Sequence, residues 1–453
     1  MNWLKAIIQK KKLKTSILQA MPFWIASLIT GLIAVIYTKL FEWAEELGRH
    51  CYHLHGWLIF IVTPVAFLLA WSLVKQVAIY AKGSGIPQVM AAIELTSGKE
   101  DQQVKQLLNL RMLLVKIGSS LLMVFGGGAI GREGPTIQIA GTVFRKINEW
   151  LPASWPKISS RNMILTGAAA GLAAAFNTPL GGIVFAVEEL AKTHFSQFKT
   201  AVFTAVIIAG LTAQAFLGPY LYLGFPVISN APAVMILAVA PVAILSGLGG
   251  SAMGLIILKV LYWKEKLRDY YSEMLFVLIC ALLLCSMAYF MNDGILGSGK
   301  SEMSTLLFTS NKRLDWQVPL LRICGPVLSF TTGASGGIFA PSLSAGATIG
   351  AYIAGLFDFS ASDTNLLILS GMVAFLTGVT RSPFTSAILV LEMTDRHNVI
   401  FFLMLSGIIS SLVSLLISKH SMYEYLKVQY ISKLHRQDSK ATNRAQPDAS
   451  APD

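Results

Sequence analysis

The stretch VKIGSSLLMVFGGGAIGREGP, residues 115–135, has a second copy farther along the chain, LRICGPVLSFTTGASGGIFAP at 321–341. The copies lie 206 residues apart, so that Gly127 matches Gly333 and Pro135 matches Pro341. Two further pairs keep the same order: KGSGIP (82–87) with LGSGKS (296–301), and NTPLGGIVFAVEE (177–189) with RSPFTSAILVLEM (381–393). Because three blocks recur in one order at nearly one spacing, the sequence predicts two structural halves.

The chain is far more apolar than a soluble protein. Of its 453 residues 54% are hydrophobic and 13% are charged, whereas soluble domains carry about 25% charged residues. Seven runs contain no Asp, Glu, Lys or Arg: Met21–Thr38, Gly56–Val74, Met163–Val187, Pro226–Leu258, Met274–Asn292, Ile323–Phe357 and Asn398–Ser418. Since a helix needs about 20 apolar residues to cross a bilayer, we predict an all-α polytopic membrane protein whose Gly- and Pro-rich helices are partly short or broken.

The predicted organisation has five parts. They are a basic N-terminal segment (1–20), a first membrane repeat (21–195), a connecting helix and loop (196–234), a second membrane repeat (235–420), and a C-terminal helix with a tail (421–453) that we expect to be disordered from Asp438 onward. Lysines and arginines concentrate near both ends, which predicts that both termini are cytoplasmic. The net charge of +12 is therefore a topology signal, and no nucleic-acid partner is expected.

The stretch GILGSGKS (294–301) matches the phosphate-binding pattern G-x-x-x-x-G-K-[ST]. A nucleotide-binding loop of this kind follows a β-strand in an α/β domain, whereas this one follows a run of membrane-helix length. The repeat makes it the second copy of KGSGIP. We therefore expect a turn with Lys300 at the water-facing boundary, no nucleotide and no enzyme activity, and an ATP-driven enzyme is the competing hypothesis.

The run RHCYHLH (49–55) offers potential metal ligands in one short stretch between two hydrophobic spans. Zinc sites usually take their ligands from two separated pairs. We predict an interfacial loop, with adventitious metal binding as the alternative, and we expect no metal and no cofactor.

The repeated blocks place Gly and Pro where a helix begins. Pro is well accommodated at the first helical position, as Pro135 and Pro341 would be. A helix N-terminus exposes unpaired N–H groups and carries about half a positive charge. Several such ends meeting inside a membrane predict an anion site without a full cation, from which an anion can also leave.

Two acidic positions stand out in apolar sequence. Arg132 and Glu133 are the only charged residues between Ile117 and Phe144, and ionisable groups in a membrane segment usually have a function. Glu133 would precede a helix N-terminus, where its carboxylate can compete with an anion, and a structural Arg–Glu pair is the alternative. For Glu188 and Glu189 the residues leave function and an ordinary interfacial helix end equally open.

At GSGIP (83–87), GREGP (131–135) and GIFAP (337–341) the sequence resembles the CLC family of chloride channels and chloride/proton antiporters. The resemblance implies two inverted halves of tilted helices per subunit, and homodimers with one pore in each subunit. By position it implies that Ser84 and the backbone N–H groups of Ile338 and Phe339 bind chloride. It further implies that Glu133 is the gating glutamate and Glu189 the internal proton-transfer residue. Tyr423 would coordinate chloride, with Tyr425 as the competing candidate.

The resemblance also bears on subtype. With a serine in GSGIP the chain resembles the chloride-preferring members, and with Glu189 it resembles the antiporters. The chain ends soon after the last helix, so we expect no paired cytosolic CBS domains. We predict a bacterial plasma-membrane transporter that lies in the lipid bilayer and exchanges chloride for protons across it. A passive voltage- or pH-gated chloride channel is the alternative.

Overall fold

The computed structural model describes residues 2–96, 101–191, 199–218, 221–229, 231–267, 269–309 and 312–445. In these ranges the chain is helical, with two isolated β-bridges and no strand. The first nine helices are α1 (Asn2–Leu54), α2 (Ile59–Val77), α3 (Ile86–Leu95), α4 (Asp101–Leu107), α5 (Leu110–Phe125), α6 (Glu133–Glu149), α7 (Ser160–Phe176), α8 (Pro179–Phe185) and α9 (Lys199–Leu217). The remaining helices are α10 (Ile236–Lys264), α11 (Tyr270–Phe290), α12 (Lys300–Phe308), α13 (Gln317–Thr331), α14 (Phe339–Gly355), α15 (Ala361–Thr380), α16 (Pro383–Thr394), α17 (Ile400–Ser414) and α18 (Met422–Ala445).

The repeated blocks fall on equivalent helices, which confirms the predicted all-α architecture in two halves. The block at 115–135 ends α5 and begins α6, and its copy ends α13 and begins α14. In the same way the GSG turns precede α3 and α12, and the third pair of blocks forms α8 and α16. The order of elements is therefore the same in both halves.

The two halves are inverted relative to each other. Gly131 and its equivalent Gly337 exchange backbone hydrogen bonds of 2.7 and 2.8 Å in an antiparallel bridge, so they lie on a local two-fold axis. The start of α8 donates to Glu392 at the end of α16, while the start of α16 donates to Glu188 just beyond α8. Each helix therefore begins where its equivalent ends, and equivalent helices run antiparallel.

Eight of the described helical segments are long and apolar enough to cross a membrane. The central helix α15 is almost wholly buried inside the protein, whereas many large apolar side chains on α2, α9, α11 and α17 are exposed. Small residues allow the buried pairs to approach closely. A Cβ added at Gly171 of α7 would lie 2.6 Å from the Ala140 side chain of α6, as expected of helix contacts in membranes.

The ends of the chain differ in part from the sequence expectation. α1 is continuous from Asn2, so the basic segment 1–20 leads into the first membrane helix without a break. α18 extends to Ala445, whereas disorder was expected from Asp438 onward. The rest of that predicted tail, 446–453, lies outside the described residues.

The region predicted as a connecting helix and loop contains α9, which is itself a candidate membrane span.

Candidate functional site

Three helix N-termini meet between the two halves. The GSGIP loop is tied to the loop before α14, because Gly83 donates to the Ala334 carbonyl at 2.8 Å and Gly336 donates to the Gly83 carbonyl at 3.1 Å. The reciprocal bonds of Gly131 and Gly337 bring the start of α6 to the same place. The starts of α3, α6 and α14 therefore concentrate backbone N–H groups and partial positive charge at one buried point.

Ser84 lies at this point, with 1% of its surface exposed. Its hydroxyl packs directly against Gly134 of α6, where any side chain would collide with it. Ser84 Oγ has no hydrogen-bond partner among the described residues. A buried hydroxyl without a partner costs about 1–3 kcal/mol, so the arrangement favours a ligand at this position.

The structure separates the two candidate tyrosines near the C-terminus. Tyr423, in the first turn of α18, is fully buried, and its ring centroid lies 6.1 Å from that of Phe339. Its hydroxyl lies near that of Ser84, but it has no hydrogen-bond partner among the described residues. Tyr425 is 46% exposed and packs on His420. Tyr423 therefore lies at the candidate anion site and Tyr425 does not.

Ile338 and Phe339 form the start of α14, and both are buried. Ile338 is the last residue before the helix, and Phe339 is its first residue. The Phe339 ring packs edge-on against Phe185, with centroids 6.3 Å apart. This packing fixes the helix start, so that its backbone N–H groups are directed by the fold and not by a mobile loop.

Glu133 is the first residue of α6, with 1% of its surface exposed. Its carboxylate lies against Gly131 and near the backbone N–H of Ala340 in the first turn of α14. On its other side Tyr222 donates a long hydrogen bond of 3.5 Å to Oε1. The carboxylate thus lies between two helix starts, which is where an anion would also be stabilised.

A charged cluster lies beyond Glu133. Arg132 and Lys300 each form a 3.0 Å ion pair with Glu42 of α1. Both cations also lie over the Tyr222 ring, at 5.9 and 5.0 Å from its centroid. We call Glu42, Arg132, Tyr222 and Lys300 the outer cluster. The sequence did not predict it, since Glu42 and Tyr222 lie far from the motifs.

The two glutamates of the EE pair have different surroundings. Glu189 is 6% exposed and accepts a 2.7 Å hydrogen bond from the Ser382 hydroxyl. Glu188 accepts from the backbone and hydroxyl of Thr385, both at 2.7 Å, and so caps α16. The pair lies in a π-helical turn, Ala186–Ala191, a feature frequent at functional sites. Glu188 has a structural contact, while Glu189 is the buried carboxylate.

A cavity of about 190 Å³ reaches Ser84. Lys82, Lys264 and Tyr430 are among the residues that line it, and we call it the lysine vestibule. Lys264 is 9% exposed and donates to the carbonyls of Thr331 and Thr332. Four lysines and two glutamates line the cavity, so its excess of positive charge at the approach to Ser84 would attract anions. Lys82 could have been noticed beside GSGIP, whereas nothing in the sequence places Lys264 here.

Buried cations hold both GSG turns. Lys116 is fully buried, and its Nζ donates to the carbonyls of Ala81 and Gly83 at 2.8 and 2.7 Å. The equivalent Arg322 donates from Nη1 to the carbonyls of Leu296 and Gly297, both at 3.3 Å. The repeat aligns Lys116 with Arg322, and that match could have indicated this shared role.

The GILGSGKS stretch forms the turn between α11 and α12. It follows a helix of membrane length, where a nucleotide-binding loop would follow a strand. Lys300 is 31% exposed and belongs to the outer cluster. Among the described residues, which include RHCYHLH, no group of three or more His, Cys, Asp or Glu side chains could hold a metal ion.

The comparisons with known proteins agree with this geometry. The family described as Voltage gated chloride channel matches residues 65–415. The chain is 26% identical to the H(+)/Cl(-) exchange transporter ClcA of Klebsiella pneumoniae, over 98% of this chain and 94% of that protein. It superimposes on a slow cyanobacterial Cl-/H+ antiporter with a TM-score of 0.77 and 24% identity, covering 93% of this chain and 99% of the other. A CLC-type fluoride/proton antiporter gives a TM-score of 0.74 and 19% identity, over 89% and 96% of the two chains.

Proposed function

The chain belongs to the voltage-gated chloride channel family, and from that premise we propose that it exchanges chloride for protons across the membrane. The observation that carries the proposal is the meeting of two buried, unpartnered hydroxyls, Ser84 and Tyr423, with three helix N-termini. The related ClcA proteins and the cyanobacterial neighbour are named as chloride/proton exchangers, which supports the choice of both ions.

In the proposed site, chloride accepts hydrogen bonds from the Ser84 and Tyr423 hydroxyls and from N–H groups of Ile338 and Phe339. These donors carry partial charges only. They stabilise the anion enough to replace its hydration shell, without the strong attraction of an adjacent full cation that would hinder release. The positive charge of the lysine vestibule raises the local anion concentration at one entrance. Because its lysines lie outside the site itself, they do not hold the bound anion.

Glu133 couples this site to protons. Its ionised carboxylate competes with chloride for the same helix N-termini, because both are anions and the α6 and α14 starts stabilise either one. Protonation removes that attraction, and the neutral side chain leaves the site to chloride. A proton is therefore taken up when chloride enters, and the outer cluster beside Glu133 provides the exit for the side chain.

Glu189 provides the second proton-carrying group. It is buried and accepts a hydrogen bond from the Ser382 hydroxyl. Protons would pass between Glu189 and Glu133 on a route that separates from the chloride route at Tyr423.

The proposed setting is the plasma membrane of a bacterium. The basic residues near both ends put the termini in the cytoplasm by the positive-inside rule. The lysine vestibule includes Tyr430 and Lys433 of the C-terminal helix α18, so it would open to the cytoplasm. As in the resembling family, we propose a homodimer with one complete site in each subunit.

A proton gradient tests the exchange. Liposomes containing the purified protein start with equal chloride on both sides, an acidic lumen, and the voltage held at zero by potassium and valinomycin. Protons that leave the lumen should drive chloride inward against its gradient. If chloride does not accumulate although it exchanges passively, the protein is a channel and the proposal is wrong.

A further inference from the structure

The second-half turn GSGKS has the same backbone shape as the first-half turn GSGIP. Gly83 and Gly85 have φ angles of 63° and 100°, and Gly297 and Gly299 have φ angles of 68° and 87°. All four glycines thus lie in the left-handed region that side chains rarely adopt. Both turns end at a helix N-terminus, α3 in the first half and α12 in the second. The fold therefore forms the framework of an anion site twice.

The two serines at the centres of these turns differ in their contacts. Ser84 Oγ has no partner among the described residues. Ser298, its equivalent, donates from its backbone N–H to Glu45 Oε1 at 2.7 Å and from its hydroxyl to the same oxygen at 2.9 Å. The hydroxyl also lies 3.1 Å from Glu45 Oε2. A carboxylate of α1 therefore occupies the position that the first-half turn leaves open.

A buried cation lies beside the same position. Arg322 is 3% exposed, and its Nε has no hydrogen-bond partner among the described residues. Arg322, Glu45 and Gly297 line one cavity of about 240 Å³. A buried guanidinium N–H without an acceptor is costly, and a small anion in this cavity would offer it one. This observation is independent of the turn and of the α12 N-terminus.

The cavity also has acidic walls, since Asp293 and Glu302 line it together with Arg49. These carboxylates could favour a cation elsewhere in the cavity. At the position of the Glu45 carboxylate, however, the backbone N–H of Ser298 faces inward, and an N–H group cannot bind a cation. The local chemistry at this position therefore selects an anion.

We propose that Glu45 is a built-in ligand of a second anion site, and that removal of its carboxylate opens this site to a small monovalent anion such as chloride or bromide. Glu45 lies one turn from Glu42 of the outer cluster, and Glu42 is paired with Arg132, the neighbour of Glu133. The site is thus placed to influence the gate. The proposal goes beyond the transport function. It rests on that function only where it compares the Ser298 turn with the proposed chloride site at Ser84.

Anomalous diffraction from crystals of the full chain grown in bromide tests the site. In the Glu45→Ala variant we expect a bromide peak within hydrogen-bonding distance of the Ser298 nitrogen, and no peak there in the wild type. Glu46→Ala, which removes an exposed neighbour on the same helix, should resemble the wild type. A Glu45→Ala crystal with bromide at Ser84 but none at Ser298 would overturn the inference. A wild-type crystal without bromide at Ser84 would instead count against the proposed transport site.

A solution measurement covers the case in which the variant is too unstable to crystallise. The thermal midpoint of Glu45→Ala should rise with chloride more steeply than that of the wild type, when gluconate is the replacement anion, because a ligand that binds the folded state stabilises it. The double variant Glu45→Ala/Ser298→Ala should lose this additional dependence. Equal chloride dependence in the wild type and Glu45→Ala, or failure of Glu45→Ala to fold even in high chloride, would contradict the proposal.

Discussion

The two halves of the chain share a backbone and differ in the side chains that can carry a proton. Glu133 begins α6, whereas the equivalent residue at the start of α14 is Phe339. Glu189 follows α8, whereas its equivalent in α16 is Met393. Both buried carboxylates of the candidate site thus belong to the first half. The second half contributes the N-terminus of α14 and apolar packing to the same site.

Two sets of contacts that are present in both halves are structural. Lys116 and Arg322 hold equivalent turns through backbone carbonyls. Glu188 and Glu392 cap each other's helices across the two-fold axis. The comparison teaches that these shared contacts build the scaffold, whereas the carboxylates that only the first half has are the candidates for carrying protons.

The largest expected effect follows from removal of the first-half carboxylate at the α6 N-terminus. Glu133→Ala should retain chloride flux but lose proton coupling and the pH dependence of that flux, because nothing competes with chloride or carries its proton. Simultaneous recording of chloride and proton flux in liposomes measures this. Phe339→Leu is the matched change at the equivalent position and should keep coupling. Unchanged proton-driven chloride uptake in Glu133→Ala would refute the role of Glu133.

Glu189→Gln should reduce proton transport below detection while chloride still passes. The amide keeps the size and can still accept the hydrogen bond from Ser382, but it cannot carry a proton. Glu188→Gln is the control at the adjacent position, since that side chain caps α16, and it should remain coupled. If proton flux persisted in Glu189→Gln, the proton route would have to pass through other residues.

The two turn serines should respond differently to the same change. Ser84→Ala should weaken chloride binding by about tenfold to a hundredfold, since a hydrogen bond to a charged group contributes about 1.5–3 kcal/mol. Ser298→Ala should leave binding within about twofold of the wild type, because Glu45 occupies that turn. Isothermal titration calorimetry with chloride measures both variants. Equal losses of chloride affinity in the two variants would contradict the view that chloride occupies the Ser84 turn and the Glu45 carboxylate the Ser298 turn.

The smallest expected effect concerns the shared caps. Glu188→Ala and Glu392→Ala each remove a carboxylate that accepts two backbone N–H groups at a helix start. Each should lower the free energy of unfolding by about 1 kcal/mol, seen as a small decrease of the thermal midpoint in detergent. Similar losses are expected because the contacts are equivalent. A large loss in one variant alone would show that the caps are not matched.

Much of the fold could be predicted from the sequence, because repeated Gly–Pro blocks mark where broken helices begin. Placement of Ser84 and Glu133 also follows from the motifs that contain them. The choice between Tyr423 and Tyr425 did not follow from the sequence. The two side chains point to nearly opposite sides of α18, and only the packing of that helix decides which of them is buried. The contact of Glu45 with Ser298 joins positions 253 residues apart. Such pairs depend on how the helices pack, and no local pattern indicates them.

The most direct test of the exchange mechanism records chloride and protons together in liposomes. The lumen starts with high chloride and the same pH as the outside, and potassium with valinomycin holds the voltage at zero. We predict that chloride leaving the lumen drives protons inward, so that the lumen becomes more acidic than the outside. Chloride efflux without any change of lumenal pH would contradict the account and identify a passive channel.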